Sequence, residues 1–193
     1  KLTTHNYMLE GQDNYREGVD GLKTGTTELA GASFVAHSNE NGMSLITVVM
    51  NADNGGEDEA ARFTATNELL DYVTQNWKIK TLNTKGQIVK KNDIKVADGD
   101  SQTISAKLES DLTVVQKINS KNDAVKIKAK TITAPIKKDD TIGTATFDDK
   151  DLVGTGYISD PPQISVTANQ SIKKSFFLKV WWNHIVNFFT GNK

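Results

Sequence analysis

Lys23-Thr24-Gly25, followed directly by Thr26 and Thr27, sets a cation, hydroxyls and a glycine in immediate succession. In an extended chain alternate residues face opposite sides, so Lys23 and Gly25 share one face and Thr24 and Thr26 the other. Such a mixture suits a sheet edge on which a substrate is laid. The lysine meets an anionic group, the hydroxyls orient it, and the glycine lets backbone and substrate approach closely. Val19-Asp20-Gly21-Leu22 leads into the stretch, and Glu28 to Gly31 turns the chain out of it. Alone, a three-residue motif is unspecific, and an exposed lysine at a strand end has the same spelling. Its surroundings must decide.

Two apolar runs follow, 33–37 (SFVAH) and 44–50 (SLITVVM), separated by the turn Asn39-Glu40-Asn41-Gly42. Asn-Gly tolerates positive φ at both positions, which predicts a β-hairpin. Beyond it, Phe63, Leu70 and Trp77 recur at seven-residue spacing, with Ala60 and Val73 on the same stripe. That period predicts an amphipathic helix packed on the hairpin's sheet. Asp53 or Asn54 is the expected N-cap, and Glu57, Asp58 and Glu59 fall where a helix dipole favours anions. The stripe is core and carries no chemistry.

Residues 78–168 change texture, because helical periodicity gives way to alternation. Val125, Ile127, Ala129 and Thr131 fall on one face of AVKIKAKTITA, with Lys126, Lys128 and Lys130 on the other. This is the pattern of a half-buried antiparallel strand. KTLNTKGQIV, DIKVADG, QTISAKL, LTVVQKI and TIGTATF repeat it between turn residues, so a small all-β sandwich is expected. The lysine row lacks interleaved stacking aromatics and reads as a solvated face, not a nucleic-acid surface. Residues 159–174, opening with Pro161-Pro162, are expected to be an extended exit from that domain.

Composition narrows the function classes. The 193 residues carry a net charge of −1, so the chain is no polycation directed at nucleic acid. It has no cysteine, and His5, His37 and His184 show no metal-ligand spacing, so neither a metal nor a cofactor is expected. The start, KLTTHNYMLEGQDNY, has no apolar segment of the signal-peptide kind.

GVDGLKTGTTELAGASFVA, the N-E-N-G hairpin, the helix over Arg62–Tyr72 and the β-domain together resemble a low-molecular-mass penicillin-binding protein, specifically a serine D-alanyl-D-alanine carboxypeptidase of Gram-positive type. The resemblance covers essentially the whole chain. APIKKDDTIGTATF resembles a turn of that family's C-terminal β-domain, where glycine often replaces Asp139-Asp140. The implied reaction is acyl transfer, removing the terminal D-Ala from peptidoglycan stem peptides. A serine of an S-x-x-K motif attacks the carbonyl, and a second motif, S-x-N, assists. The resemblance implies that Lys23 supplies positive potential for the substrate carboxylate and that Thr24 and Thr26 hydroxyls bond it. It further makes the Thr26 backbone N–H an oxyanion donor, with Gly25 keeping the strand clear beside the substrate. β-Lactams would be bound by the same site.

In that family both serine motifs precede K-T-G, yet only 22 residues precede Lys23. Ser171-Ile172-Lys173-Lys174 and Ser120-Lys121-Asn122 match the two patterns as text, but in the wrong order and in the wrong part of the chain. The expectation is therefore a carboxyl-terminal portion of the enzyme, whether as fragment, nicked chain or truncated gene, with the amino-terminal half of the catalytic domain as its missing partner.

The last stretch, SIKKSFFLKVWWNHIVNFFTGNK, holds Lys173, Lys174, Lys179 and Lys193 and no acid. At 100° per residue Phe177, Leu178, Trp181, Trp182, Ile185, Phe188 and Phe189 share one arc, opposite Lys179, Asn183, Asn187 and Thr190, with Phe176 and Val180 intruding on the polar side. The apolar run is shorter than the roughly 20 residues a span requires. An in-plane anchor on an anionic membrane surface is expected, similar to the family's terminal helix, which would hold the protein outside the cytoplasmic membrane.

The fold class is thus α+β: a partial transpeptidase-like domain over 1–77 with an antiparallel sheet and a helix, a β-sandwich over 78–168, and a linker with an amphipathic helix over 169–193. A competing reading is a non-catalytic, membrane-tethered β-module that binds cell-wall or protein partners. It gives the K-T-G segment no purpose.

Overall fold

The computed structural model of the chain describes residues 3–53, 58–90, 93–129, 131–153 and 156–176. In order these form β1 (Val19–Thr27), β2 (Gly31–Glu40), β3 (Met43–Val49), helix α1 (Ala61–Asn76) and β4 (Trp77–Asn83). There follow β5 (Ile94–Ala97), β6 (Thr103–Ile104), β7 (Ala106–Leu108) and β8 (Leu112–Lys117). The remaining strands are β9 (Val125–Lys128), β10 (Ile132–Thr133), β11 (Thr141–Phe147) and β12 (Gln163–Ala168). Among the described residues the fold is mostly β-sheet with one helix. Among the described residues no helix is long and apolar enough to cross a membrane. The expected amphipathic helix, Phe177 to Phe189, lies outside them.

Two compact units are present. The first is built on Lys1–Ile79 with Val115–Ser120, the second on Lys80–Val114 with the described part of Lys121–Lys193.

In the first unit β1, β2 and β3 form an antiparallel sheet in that order. Asn41 and Gly42 take φ of 51° and 76° between β2 and β3, the two positive values that a tight hairpin turn demands. Alternation then sorts the faces. Ala32, Phe34, Ala36 and Ser38 of β2 are buried beneath α1, and Phe34 meets Phe63 edge-on at 5.4 Å between ring centroids. Met8, fully buried, closes this core with Val19 and Leu70. Arg16 ties the segment before β1 to the rest: its Nε and Nη2 donate to the two Glu40 oxygens at 2.8 and 2.6 Å, and Nη1 donates to Asp71 at 2.7 Å. The Arg16 hydrogen bond, joined by one from Ser38, holds the Glu40 carboxyl below the usual carboxylate range.

The helix boundaries differ from expectation. α1 starts at Ala61, with Ala60 at the N-cap and no side-chain cap. Asp53 is recruited elsewhere, because its carboxylate accepts the Ala32 N–H at 2.9 Å; Asn54 and Glu57 lie outside the described residues. Asp58 accepts the Ala60 N–H at 2.9 Å, forming a turn ahead of the helix instead of charging its first turn. Asp53 comes so close that a Cβ at Gly31, where φ is +56°, would lie 2.7 Å from its Oδ1 and 2.2 Å from Asn51 Oδ1. Only glycine fits there. The expected stripe holds at Phe63 and Leu70, whereas Ala60 is exposed and Trp77 is already extended as the first residue of β4.

The second unit gathers three-stranded β10-β5-β6 and four-stranded β7-β12-β11-β9 around Ile104, Leu108, Leu112, Val166 and Ile172. Residues 124–134, expected as one long strand, divide between these two sheets. β9 ends where Gly143 of β11 passes so near that a Cβ on it would lie 2.8 Å from Lys128 O and 2.9 Å from Ala129 Cβ. The segment expected as an extended exit is structural instead. β12 is flanked by β7 and β11, and Val166 and Ala168 are fully buried. Pro161-Pro162 lie just ahead of it, where no ladder donor is required. Beyond β12, Ile172 and Ile136 exchange both backbone hydrogen bonds at 2.9 Å. Asp139 takes φ of 73°, the left-handed region that suits glycine. Its N–H donates to Ala168 O, and its carboxylate pairs with Lys107, whose hydrogen bond lowers the carboxyl below its ordinary value.

Candidate functional site

β1 is an edge strand, and its register pairs Lys23 with Val35, Thr24 with Phe34, Gly25 with Ser33 and Thr26 with Ala32. Directly paired residues share a face. Thr24 and Thr26 therefore lie on the side of Phe34 and α1, and Lys23 and Gly25 on the other, as the alternation predicted. All four border a recess of about 340 Å³, together with Glu59 and Arg62. Tyr7 and Phe63, with ring centroids 5.6 Å apart, supply its aromatic lining, and His5 lines it as well. Lys23 Nζ donates to Thr24 O at 2.7 Å. A Cβ built at Gly25 meets nothing within 4 Å, so this fold does not itself require glycine there. The bare backbone is open to whatever enters the recess.

Arg62 is the residue that sequence reasoning missed. It is 3% exposed, and its guanidinium fastens α1 to the motif strand. Nη1 donates to Gly25 O at 2.9 Å and to Ser33 O at 3.2 Å, while Nη2 donates to Thr26 Oγ1 at 2.7 Å. Nε donates to Glu59 O at 2.7 Å. A planar fork with fixed donor directions suits this task, because it reaches two strands and a side chain at once. The signal lay in the i, i+4 row Arg62, Thr66, Leu70, all buried. A charged residue on an apolar row asks what pairs with it.

Just upstream the β1–β2 register shifts between Val19 and Gly21, leaving Asp20 as a bulge residue. Bulges re-aim side chains. Here the Asp20 carboxylate lies 2.5 Å from His37 Nδ1, and His37 Nε2 lies 2.9 Å from Ser44 Oγ, so one imidazole links three strands. His37, considered above only as a metal ligand, is a cross-strand tie.

Among the described residues lining the recess there is no serine or cysteine; its hydroxyls are Thr24, Thr26 and Tyr7. Ser171 Oγ accepts the Lys138 N–H at 2.9 Å within the second unit. Ser120 follows β8, its N–H bonded to Lys117 O at 3.0 Å.

Residues 1–54, which include the motif strand, match the family described as D-alanyl-D-alanine carboxypeptidase. Residues 77–174 match the C-terminal domain of penicillin-binding protein 5. The chain is 29% identical over 164 residues to the D-alanyl-D-alanine carboxypeptidase DacF of Bacillus subtilis (strain 168), covering 83% of this chain and 39% of that protein. It is 32% identical over 140 residues to the D-alanyl-D-alanine carboxypeptidase DacD of Escherichia coli (strain K12), covering 69% of this chain and 34% of that one. A crystal structure of a peptidoglycan synthesis regulatory factor (PBP3) from Streptococcus pneumoniae matches with a TM-score of 0.69 and 37% identity, over 89% of this chain and 48% of that chain. The chain thus spans between about a third and a half of the length of these relatives. Two family matches in tandem, together with an edge-strand K-T-G beside a recess, place the chain among the low-molecular-mass penicillin-binding proteins.

Proposed function

We propose that this chain is part of a serine D-alanyl-D-alanine carboxypeptidase that trims the terminal D-Ala from peptidoglycan stem peptides and is acylated by β-lactams. The observation that carries the reading is the recess: Lys23, Thr24, Gly25 and Thr26 all border it, and Arg62, which borders it too, ties their strand to α1. In this reading residues 1–77 are the carboxyl-terminal part of the catalytic domain, and 78–168 a β-sandwich that follows it. Lys23 attracts the substrate carboxylate, and the Thr24 and Thr26 hydroxyls orient it. The Thr26 backbone N–H stabilises the oxyanion that forms when the D-Ala–D-Ala carbonyl is attacked. Preorganised donors of this kind act on charge that develops in the transition state, and Gly25 leaves them accessible.

The nucleophile, by this proposal, belongs to a segment outside these 193 residues. The exposed side chains of Ile46 and Val48 on β3, and of Met50 just beyond it, support that reading, since an apolar sheet face of this kind is normally covered. The 193-residue chain should then form no covalent adduct with labelled penicillin, as measured by denaturing electrophoresis and intact mass. A stable acyl group on any serine of the chain, Ser120 and Ser171 included, would sink the proposal.

The same reading makes residues 169–193 a linker and membrane anchor on the outer face of the cytoplasmic membrane. Phe177, Leu178, Trp181, Trp182, Ile185, Phe188 and Phe189 would enter the interface while Lys173, Lys174 and Lys179 meet anionic headgroups, each worth about 1 kcal/mol. The intact chain should pellet with anionic vesicles, less so at high salt. A chain ending at Phe176, which keeps Ile172 in the core, should stay in solution. Equal binding by both would remove the anchor from the proposal.

A further inference from the structure

Thr26 has one hydroxyl proton, and the structure assigns it a direction. Because Thr26 Oγ1 accepts from Arg62 Nη2 at 2.7 Å, its own O–H is left to donate elsewhere. The acceptor is Glu59 Oε1 at 3.0 Å, and this oxygen also lies 3.5 Å from Arg62 Nη2. The recess therefore already contains a carboxylate, supplied by the chain itself and seated on the hydroxyl that the proposed function gives to the substrate's carboxylate.

We infer that Glu59 is an internal competitor for the anion position of this recess, which a ligand carboxylate must displace before it can engage Thr26. The inference rests on the reading of the recess given under Proposed function. Three features support it. Glu59 reaches the hydroxyl from the turn before α1, and its backbone carbonyl is held by Arg62 Nε, so the side chain hangs from a fixed point. Its side chain is 65% exposed, against 3% for Arg62, so releasing it into water costs little desolvation while Arg62 and Thr26 stay in place. Moreover, its hydrogen bond is charge-assisted, stronger than one to a neutral acceptor but exchangeable for an equivalent bond to another carboxylate. Two carboxylates cannot accept the same proton, and like charges at this separation repel. Glu59 thus sets a threshold: a ligand must bring a carboxylate and enough further contact, with Lys23 for instance, to displace it. Neutral ligands gain nothing from the exchange.

The test is an NMR titration of the 193-residue chain, following the Gly25 and Thr26 amides. The probes are N-acetyl-D-alanyl-D-alanine and the same dipeptide with its carboxyl group amidated. Glu59→Gln should bind the free acid about tenfold more tightly than the wild type, the effect of roughly one charge-assisted bond, with the amide unchanged. Glu59→Asp keeps the charge but withdraws it from Thr26, and should also bind the acid more tightly than the wild type. If Glu59→Asp behaves like the wild type while Glu59→Gln binds more tightly, the effect is one of charge and not of occupancy, and the inference falls. Equal affinity in all three proteins would overturn it while leaving the recess a carboxylate site. Failure of every protein to bind the acid at millimolar concentration would overturn the reading of the recess itself, and Glu59's role with it.

Discussion

Arg62→Ala is expected to destabilise the first unit by about 2–5 kcal/mol, the range for buried acceptors that lose a charged donor. The loss has a local origin. Gly25 O and Ser33 O would lose their donor, and a partly buried carbonyl left unpaired costs about 1–3 kcal/mol. Arg62→Lys should recover little of it, since one ammonium cannot reach the acceptors on β1, β2 and Thr26 in the directions that the fork supplies. Urea denaturation gives the size of the effect, and amide exchange in β1 and β2 gives its place. A loss below about 1 kcal/mol, or full rescue by lysine, would mean that water replaces the guanidinium and that Arg62 is not the clamp described here.

Lys23→Ala should act in the opposite manner, leaving the fold nearly untouched and removing function. Lys23 is exposed, and its ammonium bonds the carbonyl of the neighbouring Thr24, so the unit has little to lose. In the longer protein proposed above, losing a hydrogen-bonded charge that faces a substrate carboxylate costs about 2–5 kcal/mol. That corresponds to acylation slower by about 30- to 5,000-fold, by β-lactam and by peptide alike. The thermal midpoint should move little. The two measurements together separate this residue from Arg62, whose loss would move both. Acylation at the wild-type rate in Lys23→Ala would reduce Lys23 to an ordinary strand-end lysine.

The two substitutions also mark where the sequence was legible. Lys23, Thr24, Gly25 and Thr26 announce themselves because their types and alternation are local properties of one strand. The Asn41-Gly42 turn and the Phe63–Leu70 stripe are legible for the same reason. Arg62 is not, because its partners lie on β1 and β2, and nothing within α1 records where those carbonyls will be. Glu59 looked like a helix-dipole acid, yet its partner Thr26 stands 33 positions away. Asp53 looked like a cap until β2 claimed its carboxylate. The division of residues 124–134 between two sheets and the inner place of β12 are likewise outcomes of pairing between distant strands. Alternation names the buried face of a strand; it does not name the sheet.

The bulge at Asp20 has a consequence for which pairings the motif strand can adopt. Side chains in a strand alternate with a period of two, so sliding β1 by a single residue along β2 would exchange its faces throughout. Lys23 and Gly25 would turn toward α1, and the Thr26 hydroxyl would leave Arg62. The stretch Leu22 to Thr27 offers weak resistance to such a slip, since its threonines and glycine are content on either face. Asp20 resists it. As the extra residue in the ladder it reaches His37 in one alignment alone, and His37 in turn holds Ser44 on the far strand. The tie across the three strands thus works as a stop that admits one alignment of Lys-Thr-Gly and excludes its neighbours.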